Sequence, residues 1–166
     1  VIPGYRETRV NKGGGSANCC SGGLAAAGGT LYPHSKVDIG KMTDGSSNVM
    51  VVGEQSDFMK TNDGTKRPWC AGCKHGFIIG AHGVNSPPDY SPGGDARHFN
   101  MTTVRYPINR KEGWPGPNGD CGNLGVCDNV GNNTPLNSAH PGGCNMLRGD
   151  GSVEFLAENI DFRTLI

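Results

Sequence analysis

The sequence predicts an α+β domain made mostly of antiparallel β-strands joined by long loops rich in Gly, Pro and Asn. Gly supplies 28 and Pro 11 of the 166 residues, which favours turns over long helices. The apolar residues fall in short runs that alternate with polar residues or are β-branched, as they do in strands. Near the C-terminus, an Asp-Gly pair lies between two such runs, as in a hairpin. Because no domain boundary is evident, residues 1–166 are predicted to form a single domain.

The first part of the chain is predicted to contain two strands and a turn. Residues 1–36 are mostly turn-forming sequence, such as "NKGGGSANCCSGG". "KVDIG" (36–40) alternates apolar and polar residues and predicts a short strand. In "MTDGSSN" (42–48), Asp44 is placed to cap a turn or a single helical turn. "VMVVGE" (49–54) is a β-branched apolar run and predicts a buried strand.

Two more strands are predicted before the C-terminal region. "GFIIGA" (76–81) is an apolar run bounded by glycines. "MTTVRYPI" (101–108) alternates, with Thr102, Val104 and Tyr106 on one face, and Pro107 ends that strand or places it at a sheet edge. Residues 109–136 are predicted to be loop.

The C-terminal region predicts a β-hairpin. "CNMLR" and "SVEFL" are two short strands joined at residues 149–151, where an Asp-Gly turn needs positive φ. Val153 and Phe155 are predicted to point to one face and Glu154 to the other. Asp161 is predicted to cap a final helical turn, "FRTLI".

Charge and cysteine content indicate a compartment. Acidic and basic side chains balance at 15 each, and no basic cluster indicates a nucleic-acid partner. The sequence shows no signal peptide and no apolar run of transmembrane length, and it begins at Val1, which suggests a processed or truncated chain. Seven cysteines among Gly, Asn and Ser are typical of secreted, loop-rich proteins. All are disulfide candidates, with one left over or paired elsewhere: Cys19, Cys20, Cys70, Cys73, Cys121, Cys127 and Cys144.

The Cys70-Ala-Gly-Cys73 motif has three interpretations: a structural disulfide, a redox pair or half of a metal site. The structural disulfide is favoured because no βαβ context supports a redox site and no zinc-like spacing follows. The adjacent Cys19 and Cys20 are expected to bond to different partners, and Cys121 and Cys127 could close a small loop.

No enzyme active site is predicted. No serine lies in a G-x-S-x-G setting, and the carboxylates lie on unrelated segments rather than forming a glycosidase pair. No metal site and no cofactor are predicted. An oxygen-rich loop is compatible with Ca²⁺ but lacks EF-hand spacing, so a solvated loop is favoured; it consists of Asp120, Asp128, Asn129, Asn132 and Asn133.

His140 is predicted to be a structural residue. Pro141-Gly142-Gly143 forces a bend after it, and a histidine in such a position usually donates a ring N–H to a nearby carbonyl or carboxylate. Asp150 is a candidate partner for His140, unless it serves only its own turn. Arg148-Gly149-Asp150 is explained by the turn and does not require an adhesion receptor.

Several blocks together resemble a known family. "HPGGCNMLRGDGSVEFL", in which nine residues separate His140 from Asp150-Gly151, is similar to the H-x9-D-G signature of a large bacterial family of pseudopilin-like proteins. "KMTDGSSNVMVVGEQSD" (41–57) resembles the family's Thr-Asp-Gly-x-Ser-Asn block leading into a strand and Gly-Glu. "TTVRYPIN", "NNTPLNSAHPGG" and "ENIDFRTLI" extend the resemblance in patches over residues 31–166.

The resemblance implies a non-enzymatic structural subunit, the globular head of a type IV pilin-like or type II secretion pseudopilin-like protein. Such proteins have a prepilin-type N-terminal segment and a long apolar helix that anchors in the membrane and packs in a filament. That helix is absent from this sequence. The implied partners are copies of the chain or related subunits, and the implied location is extracytoplasmic, at the cell surface or secreted. The resemblance assigns bracing roles to His140, Asp150 and Gly151 in the hairpin, and to Asp44, Gly45, Asn48 and Glu54 in the central block.

Two other functions remain open. A secreted disulfide-rich module could bind carbohydrate or a cell-surface partner through Trp69, Tyr90 and Trp114, provided that these rings share an exposed face. A hydrolase would require one pocket that joins His140 to a serine or cysteine nucleophile.

Overall fold

The computed structural model describes residues 9–11, 24–26, 28–32, 35–68, 102–115, 119–120, 126–127 and 133–166. This part of the chain is mostly antiparallel β-structure with very little helix, as the sequence predicts. The helical elements in it are a 3-10 helix, Ile39–Lys41, and a short α-helix, α1 (Phe162–Leu165). Neither helix has the length and hydropathy that crossing a membrane requires, and the described ranges contain no other. The strands are β1 (Arg9–Asn11), β2 (Leu24–Ala26), β3 (Met50–Gly53), β4 (Phe58–Lys60), β5 (Lys66–Pro68), β6 (Gly119–Asp120), β7 (Val126–Cys127), β8 (Gly143–Arg148) and β9 (Val153–Ala157).

The largest described sheet has three antiparallel strands in the order β3-β8-β9, and β8 lies in the middle. β8 and β9 pair with Met146 opposite Glu154 and Leu147 opposite Val153. β3 pairs with β8 through Gly53 opposite Met146, with a register irregularity between Met50 and Val52. Gly53 lets Met146 approach closely, because a Cβ there would lie 2.6 Å from Met146 Sδ.

The predicted terminal hairpin is confirmed, with a three-residue turn at residues 149–151. Arg148 N donates to the carbonyl of Ser152 (2.9 Å), and Gly151 N donates to the carbonyl of Arg148 (3.0 Å). Of the three turn residues only Gly151 has positive φ (88°). This geometry fits a turn that ends in one left-handed residue, so only one glycine of the turn is required by its φ.

Two buried clusters form the core of the described part. The first lies under the three-stranded sheet and against α1, and consists of Ile108, Leu136, Cys144, Met146, Leu156 and Leu165. The second contains Met59, Tyr106 and Trp114. The Tyr106 and Trp114 rings meet edge to face with centroids 5.0 Å apart. The Arg110 guanidinium lies 4.8 Å and 4.7 Å from the two ring centroids.

The α1 prediction is confirmed in detail. Asp161 accepts a hydrogen bond from Arg163 N at 2.7 Å, which is the N-cap interaction that its position predicts. The cap fixes the short helix so that Leu165 enters the first core cluster.

Three strand predictions require correction. Residues 36–40 do not form a strand: they end in the 3-10 helix, closed by Lys41 N donating to Asp38 O (3.0 Å). Ile39 is 68% exposed, so burial does not favour a strand there. The run at 49–54 is a strand, but an edge strand of the described sheet with Val52 42% exposed. Residues 102–108 do not form a strand. The buried residues there are Thr103, Tyr106 and Ile108, which do not follow the every-second-residue pattern of the predicted face.

The structure also bears on the predictions for turns and for short strands outside the main sheet. The structure places turns at residues 43–48, where no helix begins at Asp44. The antiparallel pairs β1-β2, β4-β5 and β6-β7 fall where no strands are predicted. The strand predicted at 76–81 lies outside the described residues.

Candidate functional site

The candidate site is centred on Glu54, which follows β3. Its carboxylate accepts two hydrogen bonds from Asn145, from the main-chain N–H at 2.8 Å and from the side-chain amide at 3.3 Å. Its main-chain carbonyl accepts from Asn137 N at 2.9 Å. One residue therefore ties the end of β3 both to β8 and to the buried segment 133–138.

His140 lies beside Glu54. Its Nε2 lies 3.5 Å from Glu54 Oε1, and its main-chain N–H donates to Ser138 Oγ at 3.1 Å. The chain then turns at Gly142, which has φ +79° and whose carbonyl accepts from Glu158 N at 2.8 Å. The sequence after His140 is therefore a bend that delivers the chain into β8.

Gly143 makes this bend possible at the start of β8. A Cβ at this position would lie 2.1 Å from the carbonyl oxygen of Leu156 and 2.9 Å from the Phe155 ring. These atoms include backbone, which cannot move aside without opening the β8-β9 pair. The first glycine of the Pro-Gly-Gly run therefore serves the turn, and the second serves the close approach of two strands.

The surroundings of Glu54 favour its charged form. Burial acts to raise its pKa, but the hydrogen bonds from Asn145 and Ser138 and the charge of His140 together lower the pKa below the usual 4.5. Hydrogen bonds to a carboxylate stabilise the charged form. Glu54 is therefore an ionised acceptor at neutral pH.

The buried segment 133–138 is held from its other side by residues that sequence reasoning did not identify. Ser138 N donates to Asn109 Oδ1 at 2.9 Å, and Lys111 Nζ donates to the carbonyl of Ser138 at 2.7 Å. Lys111 also forms an ion pair with Asp57. Asp57 and Asn109 are the two non-glycine residues of the described part with positive φ (87° and 58°), and Asn and Asp tolerate this conformation best. Asp57 and Lys111 lie far apart in sequence, so no local signal predicts their pairing.

Asp150 does not contact His140, which corrects one of the two predicted roles. Its Oδ1 accepts from Ser152 N (2.9 Å) and Ser152 Oγ (2.7 Å). These bonds, with a smaller contribution from the Arg148 charge, lower the pKa of Asp150. Asp150 thus serves its own turn, the other predicted role, and Glu54 occupies the place expected for it beside His140.

The other predicted motif residues form a second group, at the opposite end of β3. Asn48 donates its side-chain amide to the main-chain carbonyl of Asp44 at 2.7 Å, and Gly45 has φ +86°. This turn contacts the hairpin turn, because Gly149 N donates to Val49 O at 2.9 Å. A Cβ on Gly149 would lie 2.8 Å from Met42 Sδ. The two blocks that carry the family resemblance therefore meet in space.

Cys144 is a disulfide candidate that the structure leaves unpaired, and the odd number of cysteines already leaves one thiol over. Cys144 has a free thiol, fully buried in the first core cluster, where it donates to Met146 Sδ at 4.0 Å. Burial and the nearby Glu54 charge raise the pKa of this thiol to about 11, so it stays protonated and unreactive at neutral pH. Cys127 lies in β7, but its side chain is outside the described part. The remaining disulfide candidates lie outside the described residues altogether: Cys19, Cys20, Cys70, Cys73 and Cys121.

The chemistry available to the described side chains is limited. They include no group of three His, Cys, Asp or Glu residues placed to hold a metal ion. Of the oxygen-rich loop considered for Ca²⁺, Asn133 is buried and its Oδ1 accepts from Arg105 Nε at 3.1 Å. The imidazole of His140 is directed at Glu54 and not at a hydroxyl or thiol nucleophile. Ser138, its nearest hydroxyl neighbour in the chain, is 1% exposed.

The aromatic residues considered for ligand binding are only partly described. Trp114 is 2% exposed within the second core cluster, which counts against a stacking role for this ring. Trp69 and Tyr90 lie outside the described residues. A groove of about 570 Å³ is lined by Leu31, Met50, Val104, Leu156 and Leu165, among others. Glu54, His140 and Asp150 do not line it.

Comparison with known protein families gives a match over most of the chain. A family model described as "Protein of unknown function (DUF1559)" matches residues 4–163. No curated protein and no solved structure matches the chain significantly.

Proposed function

The chain belongs to the DUF1559 family of proteins of unknown function, and we propose that it is a structural, non-enzymatic subunit. In this proposal it is the extracytoplasmic head of a type IV pilin-like or type II secretion pseudopilin-like protein. It assembles at the cell surface with copies of itself or with related subunits.

The observation that carries the proposal is how the motif side chains are used. Glu54 binds Asn145 and contacts His140, Asp150 binds Ser152, and Asn48 binds the Asp44 carbonyl. The side chains of Glu54, Asp150 and Asn48 thus satisfy a strand end or a turn of the same chain. Motif side chains that are used in hydrogen bonds within the chain support a structural role better than a catalytic one.

The environment of the site also supports this choice. The Glu54 carboxylate is ionised and already accepts hydrogen bonds, whereas a general acid or base needs a pKa near the working pH. The Cys144 thiol, whose pKa the Glu54 charge helps to raise, is buried and protonated. These properties favour a rigid head that presents surfaces to neighbouring subunits.

The test is the N-terminus of the mature protein, isolated from the envelope of cells that express the complete gene. We expect mass spectrometry to find prepilin-type cleavage and an N-methylated first residue, followed by about 20 apolar residues, the length of a membrane-spanning helix. We also expect the protein in the fraction sheared from the cell surface. Cleavage of an ordinary signal peptide, with a soluble secreted product, would contradict the proposal and favour a secreted binding module.

A further inference from the structure

The outer edge of β9 is open in the part of the chain that the structure describes. Ser152 O accepts from Arg148 N, and Glu158 N donates to Gly142 O. These two bonds fix the alternation along β9, so that residues 152, 154, 156 and 158 direct their main-chain groups to β8. Val153, Phe155 and Ala157 direct theirs away from β8, where the carbonyl of Ala157 already accepts a hydrogen bond from Ile160 N at 3.0 Å in the following turn. No other described strand pairs with that edge.

The side chains of the outward residues form an exposed apolar surface. Val153 is 67% and Phe155 48% exposed. Val153 lies opposite Leu147, and Leu147 lies opposite Val52, so one apolar row crosses all three strands on one face. β9 also lacks the proline, lysine or bulge with which natural edge strands usually avoid pairing.

We propose that β9 pairs with β9 of a second copy of the chain, antiparallel and centred on Phe155. Phe155 then lies opposite Phe155 of the second copy, and Val153 opposite Ala157. The two three-stranded sheets become one continuous sheet, and the apolar rows of the two copies lie on the same face of it. This inference rests on the proposed role as a self-assembling subunit, for which it supplies an interface.

The charges of β9 select this register among its neighbours. Outward-directed groups can pair in three adjacent antiparallel registers, which differ by two residues. Centring on Glu154 places two Glu154 side chains opposite each other, and centring on Leu156 places Glu154 opposite Glu158. Like charges directly opposite destabilise a strand pair. Centring on Phe155 instead places Glu154 opposite Leu156 and Glu158 opposite Ser152.

The same register leaves the existing ion pair undisturbed. Glu154 is already paired with Arg148 of its own chain, on the face opposite the apolar row. Each Phe155 gains an aromatic partner across the two-fold axis, and aromatic cross-strand pairs are among the more stabilising. A two-fold axis makes the contact isologous, the commonest arrangement in homodimers.

The first test is the association state of the full 166-residue chain by analytical ultracentrifugation, from micromolar to millimolar concentration. Phe155→Lys places two positive charges on the axis, and we expect it to raise the dimer dissociation constant at least tenfold. The matched control is Ile39→Lys, the same change at a residue 68% exposed on the 3-10 helix, which we expect to leave it unchanged.

Two further variants separate the edge from general surface effects. Val153→Pro removes an outward N–H but no β8-β9 hydrogen bond, because proline is tolerated where a strand N–H faces solvent; we expect weaker association with β8-β9 intact by circular dichroism. Val153→Glu with Ala157→Lys should restore the association that either single change weakens, because only the register centred on Phe155 places these residues opposite each other.

The results also separate this inference from the proposed function. A monomer at every concentration, or equal effects of Phe155→Lys and Ile39→Lys, would overturn the β9 interface. A dimer that Phe155→Lys leaves unchanged would overturn it too, while self-assembly through another surface would stand. Prepilin-type processing tests the proposed function alone, whichever way the dimer experiment falls.

Discussion

At the scale of single residues, Glu54 links three segments of the described domain by hydrogen bonds. It connects β3 to β8 and to segment 133–138, both of which lie far from β3 in sequence, through one ionised carboxylate and one carbonyl. Hydrogen bonds to a charged group contribute more to stability than neutral ones. The Gly-Glu pair of the central block is therefore explained by one neighbour of each residue: Met146 packs closely against Gly53, and Asn145 donates hydrogen bonds to Glu54.

Replacement of Glu54 by Gln is expected to destabilise the domain and to change its response to acid. The carboxylate has a lowered pKa in the folded protein, so its stabilising contribution is fully present above its unfolded pKa of about 4.5 and is lost as the pH falls through the folded pKa. Glu54→Gln should lower the free energy of unfolding at pH 7 by about 1–3 kcal/mol, and flatten the loss of stability below pH 4.5.

Urea denaturation at a series of pH values measures both effects. Glu112→Gln is the matched control, because the Glu112 side chain is 72% exposed, and exposed ion pairs contribute little. If the free energy of unfolding falls equally steeply below pH 4.5 in Glu54→Gln and in the unmodified protein, Glu54 does not cause the pH dependence.

At the scale of elements, the β8-β9 hairpin is held by interactions within its own turn. Its turn is fixed by Asp150, which accepts two hydrogen bonds from Ser152, and by Gly151 at positive φ. The 42–48 turn rests against it through Gly149. The H-x9-D-G spacing thus joins two turns at opposite ends of β8: His140 at its start and Asp150-Gly151 at its end.

Gly151→Ala is expected to destabilise the hairpin through backbone strain alone. Gly151 has φ +88°, and no atom lies within 4 Å of a Cβ added there, so the penalty comes from the left-handed conformation, about 1–2 kcal/mol for a residue with a side chain. Gly28→Ala is the control, because a Cβ there also meets nothing within 4 Å and its φ is not positive. Urea denaturation measures the difference, and equal stability of the two variants would contradict the turn geometry.

Sequence reasoning succeeds where the determinants are local. The hairpin and the α1 cap depend on residues within a few positions of each other, such as Asp161 and Arg163. The β4-β5 hairpin also has a local signal that could have been used: Asn62-Asp63-Gly64 lies between the strands, Gly64 has φ +83°, and Asp63 accepts from Thr65 N.

The remaining features depend on contacts between distant segments. Residues 36–40 alternate correctly for a strand, but the described structure provides no partner strand beside them. The choice of Glu54 over Asp150 as the neighbour of His140 follows from how β3 lies beside β8, which no local pattern contains. The pairing of Asp57 with Lys111 is hidden for the same reason.

At the scale of the whole molecule, one segment of the chain contributes residues to both core clusters. Tyr106 belongs to the second cluster and Ile108, two residues later, to the first. Lys111 then binds Asp57 and the carbonyl of Ser138, and its own carbonyl accepts from Lys60 N at 2.6 Å. The segment 102–115 is therefore shared by both clusters, although it contains no regular strand.

We expect the two clusters to unfold together. Leu156→Ala removes a buried side chain from the first cluster, and such changes lower the free energy of unfolding by about 2–5 kcal/mol. Trp114 reports on the second cluster, and Trp69→Phe makes it the only tryptophan. In that background, Leu156→Ala should lower the urea midpoints of Trp114 fluorescence and of far-ultraviolet circular dichroism equally, as two-state unfolding requires. Val52→Ala, at a 42% exposed position, serves as the control and should shift both midpoints much less. An unchanged Trp114 midpoint beside a lowered circular dichroism midpoint would mean that the second cluster unfolds independently, and that segment 102–115 does not transmit the loss of packing.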